Sequence, residues 1–390
     1  MTNHTPKLTE RDVLEHARER LQQHLKLKAD GYICTTEQLF HLLLGVAATK
    51  NSLESVCSEL ETAPCAATVR GYLNEHFRLE QLPQLERALN QALARNLPGA
   101  VCGREHEVAI DYHDQAYYGK SEQKEGLWVR AEAKNGTTRV YRVATAYLIL
   151  HGLRLTLSIK FVRPEDDTKS VLKFLLKRLK ALHVTTSTLY LDRGFAGVRV
   201  IKFLQRVGAR VVLACPIRGK TGGVRALCVG PKSYLTEHTF KSPRHGTAKI
   251  KVAICRAFTT ARRTKRGAKK AQWLVFILIN CAMSVKQVRK RYRRRFGIET
   301  SYRCSRKLRG WTTTNNAAYR FLLIALSFFL VNVWIELRWM FARKPRRGRR
   351  LLQTAHFRLR RFAKFIAQAL ETLYSGVCHI ESLSKVKAYA

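Results

Sequence analysis

The hydrophobic period changes at about residue 106, and that change constrains the fold more than any other feature of the chain. Before it the spacing is helical. Leu14, Ala17, Leu21, Leu25 and Leu27 recur along one face, and a second helix is predicted over 36–49. Ser52 caps a third helix over 53–60, Pro64 breaks the chain, and 67–76 forms a fourth. After residue 106 short apolar runs take over. Val108-Ala109-Ile110 reads as a short buried strand leading to Asp111, and 124–133 as another. The runs 139–148 and 153–162 are rich in β-formers and are separated by the turn-like His151-Gly152. Pro164-Glu165-Asp166-Asp167 starts a helix over 170–182, with carboxylates over the positive end of its dipole. A strand over 188–191 ends at Asp192, a helix follows over 198–207, and the next strand covers 209–214.

A strand meander followed by alternating helices and strands is the order of an α/β, ribonuclease-H-like core. Residues 216–270 interrupt it with Gly, Lys and Arg and weak strand patterns at 233–240 and 249–258. An apolar strand resumes at Trp273–Asn280, and one long basic helix is predicted from Ser284 to Leu308. The expected organisation is therefore a helical region 1–98, the first part of the core at 106–215, and a basic β-rich insertion at 216–270. The second part of the core, with the Glu-bearing helix, covers 271–312, and a helical carboxyl-terminal region covers 313–390. Pro98-Gly99 marks the first boundary, and 342–350 (ARKPRRGRR) reads as a solvated basic linker or a phosphate-contacting loop. The amino-terminal helices suit a helix-turn-helix-like DNA-binding module or a plain bundle, and both readings stand because the segment is not notably basic.

Seventy-one Lys and Arg against 28 Asp and Glu give a formal net charge of +43. A chain this basic repels itself, and double-stranded nucleic acid is the expected anionic partner, because neutralised phosphates release condensed counterions. No membrane partner is expected. The apolar run Phe321–Ile335 is about four turns, interrupted by Ser327 and Asn332, and falls short of the roughly 20 residues of a span. Ten scattered cysteines without a Cys-x-x-Cys pair read as reduced thiols of a cytoplasmic protein. Neither a phosphate-binding glycine loop nor a dinucleotide fingerprint occurs.

Carboxylates are scarce, so each one carries information. Asp occurs only at 12, 30, 111, 114, 166, 167 and 192, and beyond Asp192 Glu occurs only at 237, 299, 336, 371 and 381. Asp111 and Asp192 stand at the carboxyl ends of apolar strands, where an α/β sheet places its active site. Glu299 sits within the most basic helix, where a salt bridge to Arg295 or Arg303 is the structural alternative. Three carboxylates from separated segments suffice for two Mg2+ or Mn2+ ions about 4 Å apart, the arrangement that phosphodiester transfer requires. Asp114, three residues past Asp111 and expected beyond the strand end, contests the first position.

These residues also carry a resemblance. Tyr292-x-x-Arg295-x-x-x-Glu299 followed after six residues by Arg306 resembles the Y-(2)-R-(3)-E-(6)-K signature of bacterial insertion-sequence DDE transposases, with Arg where the signature has Lys and with Lys307 beside it. LYLDRGF (189–195) is similar to the second-Asp motif of that group, and AIDYHDQAYYGK (109–120) to its first. The resemblance covers about residues 106–310. It implies catalytic, metal-binding Asp111, Asp192 and Glu299, and Tyr292, Arg295, Arg306 and Lys307 on DNA phosphates. It further implies element-end cleavage, transfer of a 3′-hydroxyl into target DNA, and a homodimer on DNA in the nucleoid. A non-catalytic DNA-binding relative, or a structure-selective nuclease of the same fold, is the alternative.

Overall fold

The computed structural model of the chain describes residues 7–29, 31–94, 101, 104–119, 127–134, 136–150, 155–219, 221–260, 269–344, 351–353 and 355–380. The Pro98-Gly99 boundary, the His151-Gly152 turn and most of 342–350 lie outside them. The first helices are α1 (Glu10–Gln22), α2 (Thr36–Thr49), α3 (Leu53–Ser58), α4 (Ala66–His76) and α5 (Leu82–Ala94). Then come β1 (Glu105–Ala116), β2 (Val129–Lys134), β3 (Thr137–Ile149), β4 (Thr156–Val162), α6 (Thr168–Ala181), β5 (Thr185–Leu191), α7 (Val198–Arg206) and β6 (Val211–Cys215). Then follow β7 (Tyr234–Ser242), β8 (Gly246–Thr260), β9 (Lys269–Ile279), α8 (Val285–Tyr292), α9 (Gly297–Arg306), α10 (Ala317–Phe341), the short pair β10 (Arg343–Lys344) and β11 (Leu351–Leu352), and α11 (Leu359–Tyr374).

The chain divides into two compact units: Met1–Arg95 with Arg303–Ala390, and Asn96–Tyr302. The amino- and carboxyl-terminal helical regions, expected as separate segments, thus belong to one body. Local chemistry starts its helices. Thr9 and Asp12 form a capping box on α1, Thr35 and Gln38 form one on α2, and the Ser52 side chain caps α3. The apolar run predicted as four turns extends to the 25 residues of α10, long and apolar enough to cross a membrane, yet 89% of its most apolar window is buried inside the protein. Its polar interruptions are satisfied in place. Ser327 Oγ donates to the Ile324 carbonyl at 2.6 Å, and Asn332 Nδ2 donates to the Leu93 carbonyl at 3.0 Å. Buried Arg20 of α1 pairs with Glu336 of α10. Every residue of α2 from Leu39 to Ala48 is buried.

The second unit is built on one nine-stranded sheet in the order β2-β3-β1-β5-β6-β9-β8-β7, with β4 also on β3. β4, β3 and β1 are antiparallel, while β1, β5 and β6 run parallel, which is the strand order of a ribonuclease-H-like core. The parallel strands bury the short apolar runs Val108–Ile110, Leu189–Leu191 and Val211–Leu213. The insertion is a continuation of this sheet: β9 pairs antiparallel with β6 and carries the β7–β8 hairpin. Two expectations change. β1 does not stop at Ile110 but runs to Ala116, because β3 supplies an antiparallel partner as far as Val140. The long basic helix is broken by a 3-10 turn, Arg293–Phe296, between α8 and α9.

Candidate active site

β1 and β5 pair in parallel up to Ile110 and Leu191, and Asp111 and Asp192 are the residues that follow. The two carboxylates therefore leave adjacent strands at the same level. Asp192 has an extended backbone and opens a 3-10 turn, Arg193–Phe195, whose Phe195 ring stacks on Tyr112 at 4.5 Å between centroids. That stack fixes the loop after Asp192 against the strand bearing Asp111.

The end of α8 and the Arg293–Phe296 turn dock over this point through three side chains. Tyr292 Oη donates to the Leu191 carbonyl at 3.1 Å, its ring packed against Tyr190 and Phe276. Arg294 bonds Glu107 of β1 at 2.8 Å. The Arg295 guanidinium bridges the two aspartates, with Nη1 at 2.7 Å from Asp111 Oδ2 and Nη2 at 3.2 Å from Asp192 Oδ1. The side chain of Arg295 is only 7% exposed, against 16% for Asp111 and 35% for Asp192. Tyr292 and Arg295, expected on DNA phosphates, are thus buried and turned toward the protein. They are drawn there by a strand-end carbonyl and by two carboxylates, of which Asp111 has the less water to solvate it. Burial pushes the Asp111 carboxyl up to about 6, with Arg295 pulling it down and Asp192 adding to the rise.

Asp114 has a different setting. Three residues separate it from Asp111, an odd step that puts the two on opposite faces of β1. It lies within the strand, opposite Arg142 of β3, and that guanidinium grips it with two bonds of 2.7 and 2.9 Å.

Glu299 lies in the first turn of α9, one turn beyond Arg295. The helix is pinned by buried Tyr302, whose hydroxyl meets Thr145 Oγ1 at 2.7 Å, and Thr145 pairs with Asp111 across β1 and β3. Glu299 is exposed, and the salt bridge to Arg295 that its spacing allows is not formed, because Arg295 is spent on the aspartates. Hard oxygen donors such as Asp111 and Asp192 fit a small divalent cation, and here the guanidinium holds the positive position between them. Glu299 does not join them: among the described residues the three carboxylates do not come within 4.8 Å of one another. Arg306, at the end of α9, and Lys307 are exposed.

Cationic side chains are exposed on the elements next to the site in the chain. Lys286, Lys290, Arg291 and Arg293 are exposed on α8 and the turn after it. A cleft of about 810 Å³ begins at Ala196, four residues past Asp192, and is lined by Lys169, Arg199, Arg218, His238 and Lys241. Asp167, its carboxylate, is occupied by capping α6 and by Arg199. This cleft is not legible in the sequence, because its lining comes from α6, α7 and the β7 hairpin, which only the sheet brings together.

No protein-family profile and no curated protein matches the chain. A solved structure described as the piggyBac transposase synaptic complex with hairpin DNA is similar in fold. The likeness covers 95% of this chain and 78% of that one at 11% identity, with a TM-score of 0.57.

Proposed function

We propose that the chain is a DDE-type DNA transposase. It would use Asp111, Asp192 and Glu299 to hold two divalent cations, Mg2+ or Mn2+, cleave DNA at the ends of an element, and join the freed 3′-hydroxyl to target DNA. One observation carries the reading: Asp111 and Asp192 leave adjacent parallel strands of a ribonuclease-H-like sheet at the same level and are bridged by one guanidinium. The likeness to a transposase solved on hairpin DNA supports DNA as the partner, as do the cationic cleft and the face of α8. The opposite-face position of Asp114 and its grip by Arg142 support Asp111 as the ligand.

The cations would activate the attacking oxygen and stabilise the leaving one. The protein's own groups set the stage. The Tyr292 bond to Leu191 holds the end of β5, and with it Asp192. The Phe195–Tyr112 stack keeps the loop from drifting. Arg295 balances the charge of the two aspartates and keeps them at one level. Exposed Arg306 and Lys307 would hold backbone phosphates, and handling both element ends together calls for a homodimer on DNA.

The test is an oligonucleotide duplex carrying the element's end sequence, with Mg2+. The wild-type chain is expected to nick it and join the product to a second duplex. Asp192→Asn should lose cutting by at least about a thousandfold while a gel-shift experiment still shows binding. Cutting without joining would identify a nuclease. Undiminished cutting by Asp192→Asn would remove the metal-site assignment.

A further inference from the structure

A second cluster of titratable groups lies in the helical unit. His41 of α2 is 2% exposed. Its Nδ1 is 2.8 Å from the Tyr374 hydroxyl of α11, while Nε2 faces Glu15 Oε1 of α1 at 3.2 Å and Glu37 Oε1 of α2 at 4.0 Å. That Nε2 is buried and has no hydrogen-bond partner, although two carboxylate oxygens stand before it. Burial holds the imidazole below its ordinary value, against the opposite pull of both glutamates. In the tautomer that donates Nδ1–H to Tyr374, the Nε2 lone pair points at the carboxylates, and three electron-rich atoms converge within 4.8 Å. Arg18 relieves only part of the repulsion. It bonds Glu15 at 2.6 Å through the carboxylate's other oxygen, stands 3.5 Å from Glu37, and must also serve Glu19 at 3.9 Å. In a chain of net charge +43, three carboxylates around one guanidinium make a local sink for a cation.

We propose that Glu15, Glu37 and His41 form a site for a first-row divalent cation, with zinc the preferred ion, that clips α1 to α2 and, through Tyr374, to α11. One imidazole nitrogen with two carboxylates suits zinc, whereas magnesium and calcium favour oxygen-only shells. The Tyr374 bond orients the ring from behind, the supporting contact that metal-bound histidines usually have. Glu37, with its side chain 55% exposed, provides the path of entry. The proposal stands apart from the transposase reading, since none of its residues belongs to the sheet unit.

The experiment is calorimetric titration of the chelator-treated full chain with zinc chloride, alongside thermal unfolding with and without zinc. Glu37→Gln alters an exposed side chain and leaves the Thr35–Gln38 cap intact. It should bind one zinc equivalent fewer than wild type, or bind it more than about tenfold more weakly, and lose the zinc-dependent rise in melting temperature. Glu19→Gln removes equal charge beside Arg18 but no ligand, and should keep both. Asp192→Asn should keep the thermal shift, which separates this site from the candidate active site. Equal uptake and equal thermal shift in wild type and Glu37→Gln would overturn the proposal, and so would a loss in Glu19→Gln matching that in Glu37→Gln.

Discussion

At the scale of single residues, Arg295 ties the candidate site together, and its removal tests that. Arg295→Met leaves Asp111 and Asp192 facing each other without the buried cation. The expected loss is roughly 2–4 kcal/mol in urea unfolding, less than for a fully buried pair because Asp192 is 35% exposed. Asp111 makes a pH prediction. Its folded-state value of about 6 lies above the ordinary aspartate value, so the folded chain binds the proton more tightly than the unfolded chain does. Its contribution to stability is present below about pH 4 and is lost as pH rises to about 6. Asp111→Asn should flatten that part of a melting-temperature profile, and a profile parallel to wild type would contradict the assignment. The sequence singles out Asp111 and Asp192 because so few carboxylates compete, and the fold brings both to one guanidinium. Their relations are not legible in the sequence. Nothing in Tyr292-x-x-Arg295 says that the tyrosine seeks a strand-end carbonyl and the arginine two aspartates, since those partners lie 101 and 103 or more residues away. The Glu15–His41 contact escaped for the same reason.

At the scale of elements, patterns carried by local chemistry were read well and those set by distant partners were not. The helix at α6 was expected from its carboxylate start, and Asp167 does cap it by accepting from the Ser170 N–H. α5 is absent from the sequence reading although Leu82, Leu85, Leu89 and Leu93 mark its buried face, with Pro83 tolerated in the first turn. In the basic run 284–308 the break at 293–296 is followed at once by Gly297, a poor helix former, and the bonds of Arg294 and Arg295 to Glu107, Asp111 and Asp192 hold it in place. α9 starts at Gly297, where an added Cβ would meet the Tyr147 hydroxyl at 3.1 Å and its ring at 3.3 Å. Gly297→Val should therefore push α9 off β3, destabilise the sheet unit by about 1–3 kcal/mol, and cost cutting by displacing Glu299. Urea unfolding paired with the nicking assay checks both. Normal stability and normal cutting would mean that α9 tolerates a shift there.

At the scale of the whole molecule, charge predicts behaviour that no single contact does. If DNA lies along the α8 face and the cleft, with six to ten phosphates neutralised, affinity should fall about 10³-fold or more between roughly 50 and 200 mM salt. A filter-binding series gives the slope, and a shallow one would mean that this surface meets a partner other than DNA. The division of the chain has a consequence for how it is made. α1, α2 and α5 pack on α10 and α11, so the amino-terminal helices emerge from the ribosome without the segments that cover them. At about 5–20 residues per second, the span from α5 to α10 takes on the order of 10–45 seconds to synthesise. Through that interval the apolar faces of α1 and α2 are bare, and the sheet unit is translated in the meantime. Nascent chains arrested after β9 should bind hydrophobic-surface chaperones through residues 10–49, and release them once α11 has left the exit tunnel.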